Sequence, residues 1–527
     1  MRTAAHDRRE ENYGLDMTEK ILVIGAGIAG LCAALALGPT GKSLTLIERD
    51  GPPPEGSPDE AFHDWNRRGV GHLRQSHAFL ARLNTIIKND HPTLRQELLD
   101  VGVRELGFAG MLSPLQKPTY QPTQEDGDLS ILTSRRTTLE LVIRRYVERL
   151  PNITIRSNLF VRGLITQTNA DGIVTVKGLR GEDETGPVEM LAEMVIDASG
   201  KNGSAIDQLM AANAPISEAS ESAGILYFTR HYRLHSGQAE PSRDDNPPAT
   251  GDLGYLKFGV FPADNGCFSI TLCTPEIEYE MRKAIVHPET WDGIVANIPG
   301  LKVWTDKALS EPVSKVFGMG NLLSRWRDLA PGEVPAVLGF FAVGDTLIRT
   351  NPLYGRGCSF AAVAAYALRD VLTAQSDPKA RLLAYQQRLH TDLKPYFDVM
   401  QRQDRGAIKR AEQILTPNYK PRLRTRILLS FFEDGIGPAI RTETNLLREA
   451  LRGFHMLEHP DAWLRRPANL VRILGYWAKS KKSKAAAYPP KLGPDRDEMM
   501  QALGLSADAD IAILAQQRTK DDLAAAA

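Results

Sequence analysis

Hydrophobic and polar positions along the chain change their period several times, and each change marks an element. KILVIG (20–25) is continuously apolar and rich in β-branched residues, the pattern of a strand buried on both faces. LCAALALG (31–38) predicts a packed helix and SLTLIE (43–48) a second strand. Another helix opens at Ser134-Arg135-Arg136 and runs to Leu150. Short strands follow in NITIRS, LFVRGLITQTN and IVTVKGL, with a polar hairpin ahead of MVIDASG. Over 223–326 the period becomes two: GILYFTRHYRL, GYLKFGVFPA and CFSITLC alternate, with DNG as the turn between the last pair. Two helices are expected after them, broken at VHPETW and NIPGLK. An apolar strand at 336–343, a Pro/Gly-rich loop at 351–358 and a small-residue helix at 359–372 come next. Beyond Asp370 the pattern is helical to about residue 480. The polar stretch 233–254 reads either as a cover over a site or as an unstructured insertion.

Composition narrows the function classes. Lys and Arg number 64, as do Asp and Glu, so the net charge is zero and no long-range field draws nucleic acid. A length of 527 residues implies about two to four domain-sized units. Four scattered cysteines (Cys32, Cys267, Cys273, Cys358) with no CxxC pair fit neither a disulfide scaffold nor a zinc site, so no metal is expected. The charged start has no apolar h-region, and no run of about 18 uncharged apolar residues occurs. Residues 1–16 read as a disordered arm, Met17 as a candidate natural start, and the protein as cytoplasmic. The segment 461–491 carries eight Lys/Arg against a single acid, Asp461, with Trp463, Tyr476 and Trp477 interleaved. It reads either as a solvated helix with its aromatics packed inward or as a weak contact with an anionic membrane surface. The second reading would place the protein peripherally on the inner membrane face.

Candidate chemistry begins where the first strand runs into Gly25-Ala26-Gly27-Ile28-Ala29-Gly30. In a strand–turn–helix unit, Gly25 permits the tight turn, Gly27 lets the backbone approach a diphosphate, and Gly30 lets the helix pack on the strand. The helix start at Ile28 and Ala29 offers N–H groups and a partial positive charge. Glu48, ending the second strand beside Arg49, is placed to accept from a ribose 2′-hydroxyl. The turn alone does not separate NAD from FAD. Far downstream, a strand ends at Gly344-Asp345, and the loop Asn351-Pro352-Leu353-Tyr354-Gly355-Arg356-Gly357-Cys358 leads into a helix. Asp345 is placed for a ribityl hydroxyl. The loop N–H groups and the helix dipole would face the electron-rich side of a flavin ring.

GDTLIRTNPLYGRGCSFAAV resembles the GD…P..G.G motif of FAD-dependent monooxygenases related to p-hydroxybenzoate hydroxylase and squalene epoxidase. Its NP-hydrophobic-YG-x-G spelling is most similar to that of the flavin epoxidases of polyether biosynthesis. Three further segments are similar to the same family. In 68–80, Arg74 and His77 occupy matching positions; in 134–140, Arg136 matches an arginine that contacts FAD; in 195–204, Asp197 ends a strand in a D-A-S-G motif. The resemblance implies an α/β fold with a Rossmann-like FAD-binding domain over 17–222 and 327–372. A β-sheet (α+β) substrate domain over 223–326 interrupts it, and a helical region over 373–527 follows. FAD would be held by Gly25, Gly27, Ile28, Ala29, Gly30, Glu48, Arg49, Arg74, Arg136, Asp197, Gly344, Asp345, Gly355, Gly357 and Cys358. Pro352, Leu353, Tyr354, Gly355 and Gly357 would floor the reacting site. Tyr227, Arg230, Phe258, Phe261, Phe268 and Arg356 would meet substrate, although alternation equally allows core packing for any one strand residue. Arg74, His77, Arg136 and Asp197 each also have a plain reading as cap, ion pair or brace.

The activity so implied is monooxygenation. Reduced FAD, supplied by NAD(P)H or by a partner flavin reductase, takes up dioxygen as a C4a-hydroperoxyflavin. One oxygen then passes to a lipophilic alkene (epoxidation) or an aromatic ring (hydroxylation). A single strand–GxGxxG–helix unit leaves no second nucleotide domain of the glutathione-reductase kind. An FAD-dependent reductase of the geranylgeranyl-reductase kind is the main alternative. A flavin halogenase would carry WxWxIP, whereas Trp291, Trp304 and Trp326 stand isolated; a non-catalytic FAD-bound scaffold is the last reading. The chain departs from the family at Gly71-His72 (commonly Pro-Gln), at Lys201-Asn202-Gly203-Ser204 (commonly Arg-Gly-Ser-Arg) and at Arg356 (commonly Gln), which leaves the substrate class open.

Overall fold

The computed structural model describes residues 19–526, with side chains to residue 517; the arm read over 1–16 lies outside the described residues. Strands β1 (Lys20–Ile24), β2 (Ser43–Ile47), β3 (Ile153–Arg156) and β4 (Met194–Asp197) pair in parallel. An antiparallel sheet is centred on β5 (Ile225–Leu234), β6 (Lys257–Pro262) and β7 (Cys267–Pro275). The chain then returns through β8 (Phe340–Ala342), giving the first sheet the order β8-β4-β1-β2-β3. Helix α1 (Ile28–Leu37) is buried on every side because it lies between this sheet and its neighbours, which is why its sequence carries no polar face. Further along the chain lie helices α2 (Arg136–Glu148), α3 (Gly357–Ala374), α4 (Lys394–Ile414), α5 (Leu423–Ser430) and α6 (Pro467–Ala478). The architecture is the α/β class read from the pattern, with the antiparallel sheet inserted between β4 and β8.

The two parts are tied at one buried acid. Asp264, in the turn between β6 and β7, accepts from the Arg135 backbone N–H at 2.8 Å and from Thr138 Oγ1 at 2.8 Å, and it pairs with the Arg135 guanidinium. A carboxylate at a helix start satisfies donors that the helix leaves unpaired. The sheet insertion therefore fixes where α2, and with it Arg136, begins.

Two expectations change. The run 336–343 is one apolar stretch in sequence but serves two sheets. Val337–Leu338 pairs with Val174–Thr175, and β8 joins the main sheet. Gly339 breaks it with φ +66°, and a Cβ there would lie 2.5 Å from Val176 O. The helices after residue 373 do not form a unit of their own. Tyr385, Tyr396, Phe397 and Met400 join the core of the parallel sheet, Met499 and Met500 join that of the antiparallel sheet, Leu447, Leu451 and Leu457 pack against Phe108, and Ile436, Ala439, Leu446 and Ile473 form a small cluster. Arg496, paired with Glu278 at 3.0 Å and Asp510 at 2.9 Å, pins the last helices to the antiparallel sheet. Trp463 and Tyr476 pack in the small cluster and Trp477 lies edge-on to Phe431, so the aromatics of 461–491 point inward. No helix of the described residues is long and apolar enough to cross a membrane.

His231 on β5 gives the fold a pH dependence. Its Nε2 lies 2.9 Å from the Arg74 carbonyl and its Nδ1 has no partner. Burial lowers its pKa from 6.5 to about 4. Unfolded chains thus take up a proton near pH 6.5 that the folded state refuses, so stability is present above that pH and falls between 6.5 and 4. The expected result for His231→Gln is a shallower loss of unfolding free energy over that window in denaturant titrations; parallel curves would refute it.

Candidate active site

A single cavity of about 560 Å³ runs from the glycine turn after β1 to the inner face of the antiparallel sheet. At its first end the three glycines have separate reasons. Gly25 sits at φ +99°, and a Cβ there would lie 2.7 Å from Ala198 O. A Cβ at Gly30 would lie 1.9 Å from Gly25 O, so Gly30 is required by the turn itself and does not border the cavity. Gly27 has ordinary extended angles, φ −79° and ψ −172°, and a Cβ there would meet nothing closer than Arg67 Nη2 at 3.8 Å. A side chain at Gly27 would simply enter the cavity. That is a cradle for a group that must approach the backbone closely.

Glu48 borders the same end, but its carboxylate is already engaged. It accepts from Ala26 N–H and Asp50 N–H, each at 3.0 Å, and pairs with Arg67 at 3.0 Å. A carboxylate has about four acceptor positions, so capacity for a hydroxyl remains. Arg67 also reaches Glu140 at 2.5 Å and Asp50 at 3.5 Å, and Glu140 in turn pairs with Arg136 at 3.1 Å. Arg67 was not a candidate from sequence: it stands one residue before the 68–80 motif, and no local pattern marks a buried arginine. Arg49 borders the cavity with Ile28 and Ala29, and its side chain is half-exposed.

In the middle of the cavity, Arg136 is the fixed cation. Its Nη1 donates to His77 Nε2 at 3.3 Å, and His77 Nδ1 faces the Gln75 carbonyl at 2.8 Å. Burial, then Arg136, drops the His77 pKa to about 3, so the imidazole is neutral and accepts from the arginine. Burial likewise pushes the Cys358 thiol up, leaving it uncharged at the cavity wall. Asp345 lies here beside Gly344, and none of the described residues donates a hydrogen bond to its carboxylate. Burial raises its pKa, opposed by Arg349, Arg136, Arg325 and Lys201. An unpaired acid turned into a cavity is an acceptor awaiting a hydroxyl. Asp345→Ala is expected to weaken flavin retention about 10- to 100-fold, the worth of one hydrogen bond to a charged group. A variant that purifies fully yellow and survives dialysis unchanged would remove that role.

The loop before α3 forms the cavity floor. Pro352, Leu353, Tyr354, Gly355 and Gly357 all border it, and Gly355 turns the chain at φ +63°. Asn351 holds the loop from behind: it accepts from Leu353 N–H at 3.0 Å and from the Tyr227 hydroxyl at 2.6 Å, and donates to Asp404 at 2.8 Å. The Tyr354 hydroxyl donates to the same Asp404 oxygen at 2.8 Å. Asp404 lies on α4, so a C-terminal helix positions the floor. On the sheet side, Tyr227, Phe258 and Phe261 border the cavity. Ser76, Thr229, Ser269 and Thr271 form a ladder of hydroxyl contacts at 2.6–2.7 Å that joins the 75–76 turn to the sheet. The hydroxyls at alternate positions 269 and 271 were its only trace in the sequence.

Six candidate residues lie elsewhere, each for a physical reason. Gly30 is internal to the turn. Arg74 points away and donates to the Phe62 and His63 carbonyls, closing a short helix. Asp197 is fully buried and braces its own turn, accepting from Ser199 N–H at 3.0 Å and Thr346 Oγ1 at 2.9 Å. Arg230 and Phe268 fall on the opposite side of their strands from the cavity. Arg230 pairs with Asp292 at 2.9 Å, and Phe268 stacks on Tyr232 in the sheet's outer core. Arg356 is buried among Tyr354, Tyr396 and Phe454 and reaches the Phe454 carbonyl, so it faces neither substrate nor solvent. Of the polar stretch 233–254, only Thr250 borders the cavity, while Glu240 and Asp244 pair with Arg104 and Lys117. Trp291, Trp304 and Trp326 are core residues.

A parallel sheet with a glycine turn, an inserted antiparallel sheet and a loop–helix floor between them make the flavin-monooxygenase fold. Solved proteins share this fold. The flavin-dependent brominase Bmp2 superposes with a TM-score of 0.54 at 17% identity, covering 78% of this chain and 92% of that one. The p-nitrophenol 4-monooxygenase PnpA from Pseudomonas putida DLL-E4 superposes with a TM-score of 0.52 at 15% identity, covering 85% of this chain and all (100%) of that one. By sequence, Protein Rv3254 of Mycobacterium tuberculosis (strain ATCC 25618 / H37Rv) is 24% identical over 381 residues, 67% of this chain and 73% of that protein. No protein-family model matches the chain.

Proposed function

We propose that the protein is an FAD-dependent monooxygenase that transfers one atom of dioxygen to a lipophilic alkene or aromatic ring. The observation that carries this reading is the continuity of one cavity. It joins a backbone cradle at Gly27, an unpaired acid at Asp345, the start of α3 at Gly357 and an aromatic sheet face at Tyr227 and Phe261. Bound FAD would supply the activation of dioxygen. The chain's part is to hold the cofactor through Gly27, Glu48, Arg136 and Asp345, and to keep its floor rigid through Asn351 and Asp404.

Epoxidation is favoured over hydroxylation by what the sheet end lacks. Among the described residues the carboxylates bordering the cavity are Glu48 and Asp345, both on the nucleotide side, and burial lowers the pKa of each bordering histidine, His72, His77 and His455. Transfer to an alkene needs no side-chain base, whereas attack by a phenol gains from one. The NPLYG spelling of the floor favours the same class of substrate. Reduction would come from NAD(P)H or from a partner reductase.

The test is rapid mixing of the anaerobically reduced, FAD-loaded protein with oxygenated buffer, with and without a lipophilic alkene. A transient absorbing to the blue of oxidised flavin, followed by oxidised flavin and an epoxide containing oxygen from dioxygen, is the expected result. Direct reoxidation under both conditions, with saturation of the alkene in the absence of oxygen, would establish the reductase reading instead.

A further inference from the structure

A second cavity of about 310 Å³ adjoins the first, and Lys257 and Leu353 border both. Its inner wall is Asn351 and Asp404, the pair that holds the floor loop. Its outer wall is the end of α4 and the segment that follows, through Ile414, Tyr419, Pro421 and Leu429.

That outer segment carries an exposed aliphatic surface beside the second cavity. Helix α5 buries none of its residues, although half of them are large and aliphatic. Leu423 is 69% exposed, Ile427 48%, Leu428 55% and, just beyond, Phe432 50%. Leu423 and Ile427 stand one helical turn apart and share a face. Between Glu412 and Glu433 the chain has no acidic residue and four cations, Lys420, Arg422, Arg424 and Arg426. Arg448, Arg452 and Arg466 each pair with a carboxylate, whereas none of these four forms an ion pair among the described residues.

We infer that α5 is a docking face for an anionic lipid bilayer. The second cavity is the passage by which an apolar substrate leaves that surface for the first cavity. Aliphatic side chains on a short helix enter the acyl boundary while flanking Lys and Arg stay among anionic headgroups. The chemistry fits lipid better than a second copy of the chain, since a two-fold contact through this face would set like charges opposite one another. The inward-packed aromatics of 461–491 take no part. The passage rests on the oxygenation reading; the docking does not.

The experiment uses the full-length, FAD-loaded protein and vesicles of phosphatidylcholine alone or mixed with phosphatidylglycerol. Co-sedimentation is expected to be about tenfold stronger or more with the anionic vesicles, and to weaken as salt is raised. Leu423→Asp with Ile427→Asp should abolish it with unchanged thermal unfolding, because both side chains already face solvent. Arg422→Gln, Arg424→Gln and Arg426→Gln together should remove the preference for anionic vesicles. For the passage, saturable binding of diphenylhexatriene is expected to weaken about tenfold in Ala407→Trp, and less in Ala407→Leu, with vesicle binding unchanged. Equal sedimentation with both vesicle types, or full binding by the double Asp variant, overturns the docking. A concentration-dependent dimer that the double variant abolishes, without vesicle binding, assigns the face to a second copy. Unchanged probe binding in both Ala407 variants overturns the passage. Failure of the oxygenation reading would leave vesicle and probe binding intact, so the two failures are told apart.

Discussion

Gly27→Val is expected to purify as a folded protein almost free of flavin. The backbone at this position is extended and open to any residue, and nothing within 3.8 Å of a Cβ resists one. Substitution should therefore leave the unfolding transition of the flavin-free protein unchanged. The added isopropyl group would occupy the space through which a diphosphate reaches the N–H groups at the start of α1. Losing two charge-assisted hydrogen bonds, each worth about 1.5–3 kcal/mol, lowers affinity roughly 100-fold or more. Flavin absorbance per protein after gel filtration, read beside a thermal melt, checks it. Gly30→Ala is the contrasting control: its Cβ would lie 1.9 Å from Gly25 O, so it should lower the melt itself. A Gly27→Val protein with full flavin content would remove the diphosphate from this turn.

Arg67→Met is expected to destabilise the protein by about 3–5 kcal/mol, the cost of stranding buried carboxylates by removing their shared cation. Glu48, Asp50 and Glu140 all lose a partner, and the Arg67 side chain is 1% exposed, so water cannot replace it. Methionine keeps most of the volume, which confines the effect to charge. Denaturant unfolding of the flavin-free protein measures it. Adding Glu48→Gln should recover part of the loss, because Glu48 has Arg67 as its ion-pair partner whereas Glu140 keeps Arg136. A single variant within about 1 kcal/mol of wild type would show that the cluster carries no such weight.

Most elements were legible because their signals are local. The period-two pattern of β5, β6 and β7, the small-residue helix α3 and the glycine turn after β1 depend on residues within a few positions of one another. The same locality explains what was misread. Tyr227 and Arg230 stand three apart on β5, so a period of two places them on opposite faces, and of the two Tyr227 borders the cavity. Alternation shows that one face is buried but not which neighbour buries it, and Phe268 went to the outer core. Arg74 sits at a motif position and yet caps a helix, since the carbonyls of Phe62 and His63 come within reach only in the folded chain. Arg356 reads in the sequence as a substrate contact, while three aromatic rings from separate segments enclose it.

Legible from the chain alone were the α/β class, the order of strand, turn and helix, the glycines of the turn after β1, and the loop that floors the cavity. Each of these is set by backbone conformation and short-range pattern. Only the tertiary structure decided that Arg67 would bind Glu48 and Glu140, 19 and 73 residues away. It also decided that Tyr227 would brace Asn351 across 124 residues, and that an acid on α4 would hold the floor from behind. These pairings form because a buried charge or hydroxyl must find a partner somewhere in the packed interior, and that requirement carries no signature in sequence spacing.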